Sequence, residues 1–242
     1  MTITFQLNHG IGDNLFITPT LKLLREYDSQ MRININTIHP QVFLNNPYVS
    51  KMNNRLHGYW PQYADPISRK KPDRHHIVAM KELVENHFNL KLSNVELKPE
   101  IFIKTKDIVP TNPVGVQTIH KNQWFGNKVW KGFNKLAEKY SPIPKCKDIE
   151  NLVAVLKSFK LIVCAEGCLS HLCKALDIPC IVIYGGFAIP EWNGYEDQIN
   201  IISNNCKLAP CYKPDRCPFD KKCFKEITTE KVDNEIKSRL WN

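Results

Sequence analysis

A chain of 242 residues has room for one large domain or two small ones, and 43% hydrophobic with 24% charged residues excludes a disordered or fibrous protein. The 33 Lys and Arg outnumber the 24 Asp and Glu, and the net charge of +9 fits an anionic partner (a nucleotide, nucleic acid, phosphorylated glycan or membrane surface) or solubility alone. The start MTITFQLNHG has neither a cationic n-region nor a long apolar core, and the apolar runs are strand-sized, so the expected place is the cytoplasm and the nine Cys read as reduced thiols or metal ligands.

Residues 2–7 (TITFQL) predict a first strand. NHGIGDN follows, then an amphipathic helix, LFITPTLKLLREY. The pair Gly10/Gly12 lets the backbone turn sharply and come close to a ligand. Asp13, at the helix start, suits first of all a cap, and a compatible role is a carboxylate on a cleft floor that takes a proton from a hydroxyl. The spacing is not GxGxxG, so no dinucleotide is implied.

Residues 32–38 predict a second strand, and 39–54 a loop with a short helix. The stretch 55–76 mixes aromatic and basic residues with three prolines. Tyr59, Trp60, Arg69 and Lys70 are the acceptor-binding candidates there, because aromatic faces stack on sugars or bases and cations meet phosphates. An ordinary exposed loop has the same composition. A helix is predicted over 77–90 and a strand over 98–104. The proline-bearing run KTKDIVPTNP marks a boundary between a domain of residues 1–107 and one of residues 108–242.

The second half opens with a strand at 114–118, then HKNQWFGNKVW, where Lys128 is the cation expected beside a diphosphate, and a helix in GFNKLAEKY. A loop over 141–147 and a helix over 149–158 lead into LIVCAEGCLSHLCKALDIPCIVIYGG. This last stretch reads as a strand, a tight turn at Glu166-Gly167, a helix carrying His171, and a second buried strand closed by Gly185-Gly186. Such a βαβ unit places its turn at the carboxyl edge of a parallel sheet, where α/β folds bind ligands and where helix N–H groups suit a phosphate. A packing turn without a ligand reads the same way.

Beyond it, Cys206, Cys211, Cys217 and Cys223 are spaced C-x4-C-x5-C-x5-C. Four close thiols suggest a structural zinc or iron, although neither end has the C-x2-C knuckle, and four unlinked thiols remain the alternative. The other Cys fall mostly in apolar runs. A terminal amphipathic helix, TTEKVDNEIKSRLW, ends the chain.

HGIGDNLFITPTLKLLRE resembles the glycine-rich N-terminal motif of glycosyltransferase family 9, the lipopolysaccharide heptosyltransferases. CAEGCLSHLCKALDIPCIVIYGG is similar to that family's second signature, and CYKPDRCPFDKKCFKEITTEKV to Cys-bearing C-termini within it. The resemblance implies a GT-B architecture: two Rossmann-like domains facing across a cleft. It implies inverting sugar transfer from a nucleotide-diphosphate donor without a catalytic metal. Asp13 then matches the general base, and Lys128, Glu166, Gly167 and His171 the donor site, with Gly12 and Gly185 in its glycine turns. The chain departs from the pattern where D-S/T-G becomes Glu166-Gly167-Cys168 and where a helix-ending Gly becomes Asp177, so ADP-heptose does not follow as donor. The acceptor is expected to be a surface glycan or a hydroxymethylated DNA base. A non-catalytic nucleotide- or nucleic-acid-binding module on the same fold is the alternative.

Overall fold

The structure, a computed structural model, describes residues 1–8, 10–53, 57–64, 70–106, 113–120, 129–203, 205–212 and 217–241, the last of these by its backbone alone. Two parallel sheets organise it. The first has the order β1-β2-β3, with β1 Thr2–Leu7, β2 Arg32–Thr37 and β3 Lys51–Met52. Tyr59 extends this sheet on its far side: its N–H donates to Thr4 O at 2.8 Å and its carbonyl accepts from Gln6 N at 2.9 Å.

The helix predicted from residue 15 starts earlier and breaks in the middle. Helix α1 runs Ile11–Phe16 and α2 Thr18–Tyr27, so the glycine turn is itself the first helical turn. Pro19 has no N–H for the Leu15 carbonyl, and the Thr18 hydroxyl donates to that carbonyl instead, at 2.8 Å. Thr18 Oγ1 also accepts the Glu100 N–H at 2.8 Å. The Thr-Pro pair therefore closes one helix, opens the next and anchors a distant segment.

Helix α3 spans His76–Phe88 and ends on Asn89 in the left-handed region. The strand predicted over 98–104 does not form. Residues 89–106 cross toward the second half without regular structure; Leu92 and Ile103 are buried in the core, and Lys98 pairs with Asp177 at 2.6 Å. Side-chain packing, not a ladder, holds this segment, which is why an apolar run misreads as a strand.

The second sheet has the order β5-β4-β6-β7-β8, all parallel, from β4 Val114–Val116, β5 Ser141–Pro142, β6 Leu161–Ala165, β7 Cys180–Tyr184 and β8 Ile199–Ile202. The short β5 lies in a stretch expected to be loop. Helices α4 Gly132–Ala137, α5 Ile149–Lys157, α6 Cys168–Ala175 and α7 Pro190–Asn193 lie between the strands, followed by α8 Lys222–Lys225 and α9 Thr229–Trp241. Every residue of β6 and β7 is buried, as continuous apolar strands covered on both faces must be. Ile162, Cys164, Val182 and Tyr184 share one core with the first sheet and α1, whereas Val163, Ile181 and Ile183 face a second core with Trp130, Phe133, Val232 and Ile236. The period-2 alternation of two neighbouring strands thus sorts side chains between two cores. The order reverses between β4 and β6, the switch point where α/β sheets open a ligand crevice.

Candidate functional site

A cleft of about 1170 Å³ is lined from both halves. The first half contributes Gly10 to Asp13, Phe16, His39, Gln41, the segment Trp60 to Ala64, and His76; the second contributes Gln117 and His120 after β4, Lys145 to Asp148 after β5, Glu166 to Leu169 after β6, His171, Phe187, Trp192 and Asn193. Gln117 and Glu166 flank the switch point. The Gln117 side-chain oxygen accepts the Ala165 N–H at 2.9 Å, which ties the ends of β4 and β6 together.

Asp13 is the third residue of α1, and its Oδ2 accepts the Gly10 N–H at 3.1 Å. The carboxylate therefore closes its own helix turn while remaining exposed in the cleft. Cap and site position coincide.

Gly12 packs α1 against α6. A Cβ there would stand 3.1 Å from His171 Cδ2, tighter than an ordinary contact. His171 is 2% exposed, sits against Phe16 at 4.6 Å between ring centres, and shares a 3.0 Å hydrogen bond with the Tyr195 hydroxyl through Nδ1. Burial holds the Tyr195 phenol well above its usual range, so this hydroxyl keeps its proton.

Gly167 has φ +136°, where an L side chain is strained, and caps α6. The Ser170 hydroxyl accepts its N–H at 3.2 Å and donates to its carbonyl at 2.8 Å. Beside it, Glu166 is 4% exposed. The Tyr184 hydroxyl donates to Asn193 Oδ1 at 3.1 Å, which turns the amide so that Asn193 Nδ2 donates to Glu166 Oε2 at 3.2 Å. A relay from β7 through α7 thus aims this carboxylate.

The remaining sequence candidates divide. Tyr59 does not line the cleft: its ring stacks on His87 at 3.7 Å and its hydroxyl donates to Leu83 O at 3.2 Å, so it is a packing residue of the first sheet. Lys70 is exposed and also does not line it. Gly185 serves packing too, since a Cβ there would fall 2.4 Å from the Phe224 ring. Arg69 and Lys128 are outside the described residues, although Val129 lines the cleft. Trp60 lines it, 46% exposed.

Sequence reasoning did not single out Asn193, Gln117, Lys145 or Lys147, and it left His75 and His76 open between exposed residues and ligands. His75 caps α3 by accepting the Ile77 N–H through Nδ1 at 3.2 Å, so Nε2 carries the proton it shares with Gly194 O at 3.1 Å. His76 Nδ1 lies 2.9 Å from Trp192 O, and because a carbonyl only accepts, Nδ1 is the donor. Both histidines tie the first half to the loop around α7. Burial lowers the His75 pKa to about 4.

Cys206, Cys211, Cys217 and Cys223 line a second, small cavity of about 20 Å³. Burial is the main cause that raises the Cys223 thiol above its ordinary value, with the other three thiols adding to it. Among the described residues no set of three or more His, Cys, Asp or Glu is already arranged to hold a metal ion, and no helix is long and apolar enough to cross a membrane.

Residues 143–222 match the family model of Glycosyltransferase family 9 (heptosyltransferase). No curated protein matches the chain. Among solved structures it is similar to a glycosyl transferase family 9 protein of Veillonella parvula, with 13% identity over 98% of this chain and 96% of that one and a TM-score of 0.69. It is similar to the iron-containing dodecameric glycosyltransferase TibC of enterotoxigenic E. coli, with 14% identity over 98% and 75% and a TM-score of 0.73. It also matches the E. coli ADP-heptose lps heptosyltransferase II, with 11% identity over 98% of both chains and a TM-score of 0.68. These likenesses show the GT-B fold, two Rossmann-like units around a cleft, and residues 143–222 carry the similarity to glycosyltransferase family 9.

Proposed function

We propose that the chain is an inverting glycosyltransferase that moves a sugar from a nucleotide-diphosphate donor to a hydroxyl acceptor. One observation carries the reading: Asp13 from the first half and the Glu166-Gly167 turn from the second line the same cleft. Residues 1–107 form the acceptor-side unit and 108–242 the donor-side unit.

The chemistry follows from the placement. One oxygen of Asp13 is taken by the Gly10 N–H, which leaves the other for the acceptor proton. As that proton moves to Asp13, the acceptor oxygen attacks C1 of the sugar, and the bond from C1 to the diphosphate breaks with inversion. Charge grows on the leaving diphosphate. The N-terminus of α6 at Gly167, together with Lys145 and Lys147, would meet that charge without calling on a metal. Glu166, held by Asn193, and His171 are suited to donor hydroxyls. The neighbour whose name includes ADP-heptose makes an adenosine diphosphate sugar the first donor to test.

The acceptor side is different in kind. Among its described lining residues none is Lys or Arg; the wall is His39, Gln41, Trp60, Gln62, Tyr63 and His76 around Asp13. That composition favours a sugar ring stacked on Trp60 over a phosphate backbone, and so a glycan over duplex DNA. The four Cys are proposed to hold a structural zinc or iron, on the support that all four line one cavity the size of a single ion.

The test is a thermal-shift and turnover screen against ADP-, UDP-, GDP- and CMP-sugars with wild type and Asp13→Asn. A ligand at a hundred times its Kd stabilises by about 2.7 kcal/mol. Both proteins should bind one donor class and only wild type should transfer or hydrolyse it; no stabilisation by any nucleotide sugar sinks the reading. Tight, strongly salt-dependent binding of duplex DNA would move the acceptor to DNA.

A further inference from the structure

The stretch at the end of α7 serves the cleft twice. Asn193 holds Glu166, and a little further on Tyr195 meets His171. The turn 194–198 between them and β8 is fixed from both halves. On α6, Lys174 Nζ pairs with Asp197 at 2.8 Å, and Ser170 O accepts from Gln198 Nε2 at 2.8 Å. From the first half, His75 Nε2 donates to Gly194 O at 3.1 Å, and the His75 ring lies 5.6 Å from that of Tyr195. Tyr195 is thereby held in place by bonds other than its own.

Tyr195 is 3% exposed, and among the described residues the hydrogen-bond partner of its hydroxyl is His171 Nδ1, at 3.0 Å. A hydroxyl carries a hydrogen that needs an acceptor. If Nδ1 held a proton, the hydroxyl would accept it, and its own hydrogen would point into the core with nothing to receive it. That arrangement is costly for a buried group. With Nδ1 bare, the phenol donates and both groups are satisfied, and burial keeps the phenol protonated for the purpose. The neutral ring then carries its hydrogen on Nε2. An imidazolium, protonated on both nitrogens, leaves the same hydroxyl hydrogen stranded.

The Nε2 edge is the one turned to the cleft. His171 lines the cleft and Tyr195 does not. Cδ2, bonded to Nε2, is the His171 atom nearest a Cβ built on Gly12, and Gly12 lines the cleft too.

We propose that Tyr195 is a positioning residue: its hydroxyl fixes His171 as the neutral Nε2–H tautomer, which presents a hydrogen-bond donor to the cleft. The proposal rests on the sugar-transfer reading only for what that N–H meets, a hydroxyl oxygen of the nucleotide sugar. This wall then has one group of each kind, since Glu166 offers carboxylate oxygens and His171 an N–H. A site that both accepts and donates selects for hydroxyls at fixed places and against analogues that lack them.

The experiment labels the full chain with ¹⁵N-histidine and reads the ring nitrogens by NMR at pH 7.5 without ligand. His171 is identified by its contact with the Phe16 ring. Wild type is expected to show a protonated Nε2 and a bare Nδ1. Tyr195→Phe keeps the ring, removes the hydroxyl and should give a mixture of ring forms at His171. An Nδ1–H tautomer or an imidazolium in wild type overturns the proposal, as does a His171 spectrum unchanged by Tyr195→Phe. Affinity is then measured for ADP-glucose, UDP-glucose and GDP-mannose. Tyr195→Phe should weaken binding of the preferred one about three- to tenfold, and should have no further effect in a His171→Ala background. The same loss in that background would make Tyr195 a structural residue and overturn its action through His171. If His171→Ala does not fold, the spectrum of Tyr195→Phe decides. If wild type binds none of the three, that counts against sugar transfer, and the ligand-free spectrum still decides the role of Tyr195.

Discussion

The wall carrying Glu166 and the wall carrying Asp13 hold their carboxylates by opposite means. Glu166 is 4% exposed and is aimed by two successive side-chain donors, Tyr184 and Asn193. Asp13 is exposed and has a single backbone N–H on one oxygen, from its own helix turn. A buried, relayed carboxylate keeps one position, which suits recognition of fixed donor hydroxyls. An exposed carboxylate with a spare oxygen suits proton uptake from an incoming acceptor. The cations differ in the same sense: Lys145 and Lys147 lie on the Glu166 side, and the described residues lining the Asp13 side include none.

The comparison breaks hardest at Asp13. Asp13→Asn is expected to lower turnover about 10²- to 10⁴-fold with donor binding little changed, read as kcat against donor Kd. Equal loss of both would place Asp13 among the binding groups and erase the distinction.

Next is the tether that holds the two walls together. His75 is neutral in the fold, with its pKa depressed from 6.5 to about 4 by burial. Stability is full above pH 6.5, falls as the unfolded chain takes up a proton below that value, and levels off near pH 4, a loss of about 3 kcal/mol at most. Urea unfolding at pH 7.5 and pH 4.5 measures it. His75→Asn, which keeps a cap but has no ring to titrate, should lose distinctly less than wild type over the same interval.

Asn193→Leu sharpens the Glu166 side. It removes the donor to a buried carboxylate and the acceptor for the Tyr184 hydroxyl, and should cost about 1–3 kcal/mol in thermal unfolding. Donor affinity should fall with it while the effect of Asp13→Asn on kcat is unchanged.

The smallest effect is expected at Lys98. Its pair with the exposed Asp177 links the crossing segment to the turn after α6 at 2.6 Å, but exposed ion pairs contribute little. Lys98→Ala should shift stability by under about 1 kcal/mol, and less still at high salt.

Much of the second half was legible because burial on both faces leaves a continuous apolar signature. Leu161–Ala165 and Cys180–Tyr184 could hardly be anything but inner parallel strands, and Gly167 between them announced the turn. The same rule misled at 98–104, where an apolar run packs as an irregular crossing and finds no strand to pair with. Tyr59 misled in another way: an aromatic in a basic loop looks like a ligand platform, yet its backbone joins β1 and its ring lies on His87. Trp60, one residue on, takes the opposite direction and lines the cleft. Alternation along an extended segment decides which of two neighbours faces a site, and register is set only when the partner strand is known.

By itself the sequence determined the βαβ unit, the glycine turns, the presence of Asp13 and Glu166 at element ends and of His171 in the helix after Gly167, because these are properties of local periodicity and backbone freedom. Only the tertiary structure decided that they meet. Asn193 on Glu166, Tyr195 on His171 and Tyr212 on Phe187 join residues 27, 24 and 25 positions apart. Such pairings are selected by how two sheets pack around a shared core, and pattern along one chain does not encode that directly.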